Sequence, residues 1–493
     1  MKILNKIWAV CKTEKFLLFA LFVLVFLSRV FYLGTSLWHD DAFNFVDKAI
    51  NLAINGQYIS AHSSGYPLWL LILALGLKIG HHLTGQWMLV FIPNFIVVIF
   101  GSLLVFPIFI LAKRLLANYY YAFLATIVVL LNPVIWRWST VAMSDIPALF
   151  FALLAIVYFL YYLDKTKSRD LFFSNLWLFM AMMIRPQYGL LFLIFLIFSL
   201  INFKFDIKRI LPVGLSWVLA VLGLVIGYAA FNDWHWFYFG NTYGSFFPNA
   251  GEVLTTLLIL SKSIGLFWVI LFLLGAFYLF KKDRRHFYYY NLLWLISGLY
   301  LASTFRLRHF DIERYGLLVT IFLLLIASYV LKINKFTRAA FLAAAVISCL
   351  ILWRGLVLPV NFYNVYLHDA NFFKDYKLKA QQLAEQRLED GDLSNYQDLA
   401  TILRDQDVVF HIGIDWSMPK LLLAGAHLPQ HPTLVPIDDE NQLKQALEKY
   451  KGHRLYLLRG VYEMYEAMPE SKDRPVADVI LYGRSRIHVL SNK

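Results

Sequence analysis

The chain has 493 residues, of which 60% are hydrophobic and 17% aromatic while only 16% are charged, and its net charge is +13. So apolar a composition excludes an ordinary soluble protein. The basic residues stand in short clusters between apolar runs, so the charge fits the positive-inside pattern of a membrane protein and excludes nucleic acid as a partner.

Many uncharged runs approach the ~20 residues that cross a bilayer as a helix. They predict spans at 16–33, 88–111, 119–135, 146–163, 171–184, 187–202, 210–231, 256–280, 287–304, 315–331 and 337–357. The first resembles a signal peptide in length, but Ser28-Arg29-Val30-Phe31 offers no small-residue cleavage site, so an uncleaved span is expected. Cys11 and Cys349 are the two cysteines, too few for a disulfide framework or a thiolate metal site.

Basic clusters set the topology. Lys2, Lys6, Lys12 and Lys15 precede the first span, and Lys113-Arg114 follow the second. Lys165, Lys167 and Arg169 follow the fourth; Lys204, Lys208 and Arg209 follow the sixth. Lys281, Lys282, Arg284 and Arg285 follow the eighth, and Lys332, Lys335 and Arg338 the tenth. All fall on the cytoplasmic side if the apolar segment 66–83 lies in the outer interface instead of crossing. The alternative is one more crossing there, with one of the short spans failing to cross. The interfacial reading places the loop 34–87, the turn 132–145, the turn at Arg185, the loop 305–314, the aromatic loop 232–252 and the C-terminal tail together outside.

That face collects the residues able to do chemistry. Asp40 and Asp41 open a helix-like stretch, where an N-cap and a favourable first-turn charge explain them cheaply. The functional reading is a general base with a partner that holds it or a divalent metal ion. Asp145 opens the fourth span, with Pro147 in its first turn. Arg185 is either a snorkelling cation or a phosphate clamp. The stretch STFRLRHFDIERYGLL puts Arg306, Arg308, His309, Asp311, Glu313 and Arg314 outside, as a salt-bridged surface loop or an anion-binding one, with Arg314-Tyr315 opening the next helix. His39, His62, His81 and His82 show no zinc-ligand spacing, although His39 stands beside the acidic pair. The aromatic loop suits interfacial anchoring or stacking on a sugar ring.

After Pro359 the composition turns to mixed charge, a domain boundary. A helical 371–405 leads to a strand in DVVFHIGID, a helix at 416–426 and a strand in TLVPI. Asp438-Asp439 then cap the helix ENQLKQALEKYK, and RLYLLRG, DVILYG and RIHVL read as strands. The alternation argues a small α/β domain without a nucleotide-binding motif. The expected class is an all-α polytopic membrane protein of about eleven transmembrane helices, with interfacial helices in the first outer loop and a small C-terminal α/β soluble domain. Residues 1–357 would be the transmembrane domain, 34–87 its first extracytoplasmic loop, and 358–493 the extracytoplasmic tail.

Taken in order, these residues resemble the C-type glycosyltransferases that use polyprenyl-phosphate sugars, most closely the branch of protein O-mannosyltransferases and lipid A aminoarabinose transferases. The resemblance rests on the WHDDAFNF acidic pair, the interfacial SSGYPLWLL, Asp145 and the late Arg314-Tyr315, and covers residues 1–357. It implies that Asp40 is the base and Asp41 its partner, and that Asp145 fills the second acidic motif. Tyr66 before Pro67 departs from the family's basic residue, leaving the phosphate contact to Arg185, Arg306, Arg308 and Arg314. The implied reaction is inverting transfer from a polyprenyl-phosphate sugar to a lipid, glycan or protein acceptor, at a bacterial cell membrane with the N-terminus cytoplasmic. The absence of any N-x-Ser/Thr sequon points to the same envelope. A polytopic transporter, a membrane scaffold, or a polymerase or ligase of lipid-linked glycans are the rival readings. A transporter would place charge near the midplane with inverted repeats, and no repeat is visible.

Overall fold

A computed structural model describes residues 14–31, 33, 40–60, 66–85, 87–230, 250–303, 312–357, 403–404, 407–412, 433–437, 439–457, 477–482 and 485–490. The helices are α1 Glu14–Val30, α2 Asp40–Asn55, α3 Pro67–Thr84, α4 Phe91–Leu103, α5 Val105–Leu116, α6 Tyr119–Leu130, α7 Pro133–Trp138, α8 Asp145–Lys165 and α9 Ser168–Ile184. They continue with α10 Leu190–Phe203, α11 Ile207–Ala230, α12 Ala250–Ile264, α13 Leu266–Lys282, α14 Arg284–Ser303, the short α15 Ile312–Tyr315, α16 Leu317–Ala327 and α17 Lys335–Val357. Five helical segments among the described residues are long and apolar enough to cross a bilayer: Pro67–Thr84, Phe91–Leu116, Asp145–Lys165, Pro186–Phe203 and Ile207–Ala230. The chain is a multi-pass helical membrane protein.

The central helix is α8. It is apolar around its whole circumference and buried on nearly every side, as a helix surrounded by other helices must be. Pro147 lies in its first turn, where a missing N–H breaks no bond. Its 21 residues give it a length of about 30 Å, the thickness of a hydrocarbon core.

Charge sorts to the two ends of α8. At the Lys165 end, Asp164 accepts from Arg114 at 2.5 Å and from Arg285 at 3.0 Å. Arg285 also donates to Asn202 at 3.0 Å, and Lys113 pairs with Glu14 at 2.6 Å. Residues from the ends of α1, α5, α8, α10 and α14 therefore meet at one end of the bundle, which joins several of the basic clusters that the charge pattern grouped on one side. Asp145 stands at the opposite end.

Helix α3 begins and ends near that opposite end. Tyr66, just before it, faces Arg185 with the guanidinium carbon 5.8 Å from its ring, and Gly80 near its C-terminus lies against Ile92 in the first turn of α4. Although long enough to cross, α3 runs along one end of the bundle.

Two of the expected spans are interrupted. The span 119–135 ends at Leu130, because Asn132 caps a separate helix by accepting from the Val134 N–H at 3.1 Å. The span 256–280 breaks at Gly265, whose φ of 107° is one that a residue with a Cβ rarely adopts. As a result α12 packs against α7 and α15 at the Asp145 end, and the passage through the bundle starts with α13.

The described part of the tail holds a five-stranded mixed sheet in the order β2-β1-β3-β5-β4. Its strands are β1 Val408–Ile412, β2 Thr433–Ile437, β3 Leu455–Leu457, β4 Ala477–Tyr482 and β5 Ser485–Leu490. The central β1 pairs in parallel with β2 and β3, and its Val408-Val409-Phe410 run is buried throughout, as a strand covered on both faces requires. Helix α18, Glu440–Lys449, is capped by Asp439, which accepts from the Gln442 N–H at 2.8 Å. The expected helices 371–405 and 416–426 lie almost wholly outside the described residues.

Candidate active site

Four charged side chains converge at the Asp145 end, each carried there by its local sequence. Helix α2 starts at Asp40 and buries Ala42, Phe45, Val46 and Ala49, the i, i+3, i+4, i+7 stripe of an amphipathic helix. Asp41 is one turn before Phe45, so that stripe carries it inward. Asp145 is the first residue of α8, where the helix N-terminus favours a negative charge. Arg185 ends α9 in an extended conformation (φ −147°, ψ 104°), as Pro186 requires of the residue before it. Arg314 lies in the single turn α15 that leads into α16.

Together they form an alternating chain of charge. Arg314 Nη1 donates to Asp41 Oδ2 at 2.7 Å, and Arg314 Nε stands 3.6 Å from Asp145 Oδ2. Asp145 Oδ1 pairs with Arg185 Nη1 at 2.7 Å. Asp41 is 6% exposed and the other three 2% each. Buried charges at such low exposure are tolerable because each faces its opposite.

Aromatic and hydroxyl groups fix the two arginines. Ser144, beside Asp145, makes no side-chain cap for α8; its hydroxyl accepts from Arg185 Nε at 2.9 Å. The Arg185 guanidinium carbon lies 5.8 Å from the Tyr66 ring and 5.2 Å from the Tyr315 ring. Arg314 Nη2 donates to the Tyr315 hydroxyl at 3.1 Å, with its guanidinium carbon 5.0 Å from that ring. Burial is the largest single influence on Arg185 and works against its cation, but the Asp145 carboxylate, Tyr66 and Tyr315 together hold its pKa above the ordinary value, against the opposing Arg314 charge. Tyr66 itself has a left-handed backbone, φ 62° and ψ 44°, a strained state for a residue with a side chain. Pro67, at the first position of α3, fixes the turn that presents the ring.

A cleft of about 490 Å³, open mouth included, starts at this cluster. Asp145, Arg185, Gln187, Tyr188, Arg314 and Tyr315 line its polar end, and Leu190, Leu191, Ile194, Ile296 and Leu318, with Ser297, line its more apolar walls. Asp41 is not part of the lining.

Asp41, Asp145, Arg185, Arg314, Tyr315, Tyr66 and Pro67, all read from the sequence, are thus gathered at one end. His39, Arg306, Arg308 and the side chain of Asp40 lie outside the described residues. Three residues escaped sequence reasoning. Ser144 and Tyr188 are neighbours of selected residues, with no independent signal. Arg29 had one: an arginine inside an apolar run. It is fully buried and donates to the carbonyls of Val25 at 3.1 Å and Leu130 at 2.8 Å, fastening the end of α1 to the end of α6.

Among the described residues no group of three or more His, Cys, Asp or Glu side chains could hold an ion. Asp41 and Asp145, the nearest carboxylates, are both turned to guanidinium groups.

The architecture is similar to that of solved structures with the GT-C fold. The crystal structure of ArnT from Cupriavidus metallidurans bound to undecaprenyl phosphate superposes with a TM-score of 0.62 at 14% identity, over 96% of this chain and 98% of that one. The apo state of ArnT from Cupriavidus metallidurans gives 0.63 at 13% identity, over 96% and 97%. The likeness therefore extends beyond residue 357 into the tail, further than the sequence resemblance reaches. No family model and no curated protein matches the chain.

Proposed function

We propose that this protein is an integral-membrane glycosyltransferase that moves a sugar from a polyprenyl-phosphate donor to an acceptor hydroxyl on the extracytoplasmic face. One observation carries the reading: two buried guanidinium groups line a cleft that also has a run of apolar wall, Leu190, Leu191, Ile194, Ile296 and Leu318. An amphiphile with an anionic head and a hydrocarbon tail matches that division. Undecaprenyl phosphate, the lipid bound to ArnT in one of the superposed structures, has this chemistry.

In the proposed reaction Arg185 and Arg314, with Tyr315, hold the phosphate, and Arg306 and Arg308 assist from the adjoining loop. The acceptor oxygen attacks the anomeric carbon from the face opposite the phosphate, so the bond to phosphate breaks as the new glycosidic bond forms, with inversion. The acceptor proton passes to Asp40. Asp41 is engaged by Arg314, which leaves Asp40 the better candidate of the pair for base. The departing phosphate gathers negative charge beside two fixed cations, the electrostatic term that dominates such displacements. No step is assigned to a divalent metal. His39, which precedes the base in sequence, contacts the acceptor in this reading.

The eleven crossings, the cytoplasmic N-terminus and the extracytoplasmic tail, residues 358–493, belong to the same proposal. So do a cell-membrane location and a lipid, glycan or protein acceptor. The test is Asp40→Asn in purified protein given a polyprenyl-phosphate sugar and cell-envelope acceptor. Loss of transfer with intact folding is expected; near-normal turnover overturns the assignment.

A further inference from the structure

Asp145 stands in an awkward place for a phosphate clamp. It is the carboxylate among the residues lining the cleft, and it sits between the two cations: 2.7 Å from Arg185 Nη1 and 3.6 Å from Arg314 Nε. A phosphate entering the polar end meets guanidinium groups that already face a carboxylate. Arg185 spends Nε on Ser144 and Nη1 on Asp145, and its guanidinium carbon lies over the rings of Tyr66 and Tyr315. Among the described residues, Asp41, Arg314, Asp145 and Arg185 sum to zero charge, so an added phosphate makes this buried cluster anionic unless a carboxylate gives way.

We infer that Asp145 is an internal competitor for the donor phosphate: it holds Arg185 when no lipid is present, yields it to the arriving phosphate, and reclaims it as the spent lipid phosphate leaves. This rests on the proposed reading of the cleft as a lipid-phosphate site. The competing anion keeps affinity below what two buried arginines would otherwise give, and a lower affinity for the product phosphate speeds its release. Asp41 cannot serve this role, because it holds Arg314 from outside the lining. Among the described residues Arg185, Arg314 and Tyr188 face Asp145, so a displaced carboxylate retains the second arginine as a partner. Chemically the exchange resembles two anions sharing one fork of donors.

The test is equilibrium binding of undecaprenyl phosphate to the full-length protein in nanodiscs. Asp145→Asn removes the competitor and is expected to tighten binding at least tenfold. Adding Arg185→Gln to Asp145→Asn is expected to weaken it below the parent. Equal or weaker binding by folded Asp145→Asn overturns the inference while leaving the lipid site standing; no binding by the parent protein overturns both. If Asp145→Asn does not survive extraction, infrared difference spectra of the parent protein decide. A carboxylate band that shifts on adding the lipid, and is silent in Arg185→Gln, is expected. An unshifted band overturns the inference.

Discussion

Arg314 and Asp41, 273 residues apart in sequence, meet at 2.7 Å with both side chains buried. The pair ties the first helix after α1 to the turn before α16, and through Asp145 it extends to Arg185. The site is thus assembled from four distant segments, and its order depends on charge neutrality as much as on packing.

Removing one member of this chain leaves the others buried and uncompensated. Arg314→Met strands Asp41 and is expected to cost about 3–5 kcal/mol. Arg314→Lys also loses the planar fork shared by Asp41 and Tyr315. Unfolding midpoints in detergent check this, and a double-mutant cycle with Asp41→Asn should show strong non-additivity. Additive effects would mean that the pair is not energetically coupled.

Tyr66 is held in a left-handed conformation so that its ring covers Arg185. Tyr66→Asn suits that backbone better but removes the ring, so stability is expected to hold while donor binding weakens. A cation–π contact of about 0.5–2 kcal/mol corresponds to a rise of a few-fold to about thirtyfold in donor KM. Tyr66→Phe should stay close to the parent. Donor titrations at saturating acceptor check both.

A close helix contact supports the site from below. A Cβ on Gly275 of α13 would fall 2.2 Å from the Ile326 carbonyl oxygen in α16, the helix that follows Arg314 and Tyr315. Gly275→Ala is expected to force the two helices apart at a cost of about 1–3 kcal/mol. Gly298→Ala, with nothing within 4 Å, is the control and should be neutral or slightly stabilising. Thermal unfolding of the two variants decides.

At the other end of the bundle, Asp283 accepts from the His286 backbone N–H at 3.2 Å and pairs with its ring at 2.6 Å. Partial burial works against the carboxylate, but these two contacts prevail and its pKa is lowered. A depressed carboxylate adds stability that is complete above its unfolded value near 4 and is lost as pH falls through the folded value. The acid limb of the stability profile should therefore flatten in Asp283→Asn; an unchanged limb would contradict it.

Much of this arrangement was legible in the sequence because charge is costly in a bilayer. Lys113, Arg114, Lys165, Arg209 and Arg285 could be assigned to one end by counting. Asp41, Asp145, Arg185 and Arg314 stood out as charges left over at the other. The partnerships were not legible. Nothing in the sequence told whether Asp41 faced a metal, a substrate or Arg314, since that depends on where helix α15 ends. Tyr66 looked like a missing cation, whereas its ring backs Arg185. The break at Gly265 was hidden inside an apolar run, because apolar content measures length and not backbone angle.

The central claim is that Arg185 and Arg314 bind a lipid phosphate from which a sugar is transferred. The most direct measurement is transfer of labelled sugar from a polyprenyl-phosphate donor by purified protein, comparing the parent with Asp40→Asn and Arg185→Gln. The account expects inverting transfer by the parent, none by Asp40→Asn despite normal donor binding, and loss of donor binding in Arg185→Gln. Full transfer by either variant, or none by the parent with any polyprenyl-phosphate sugar, would contradict it.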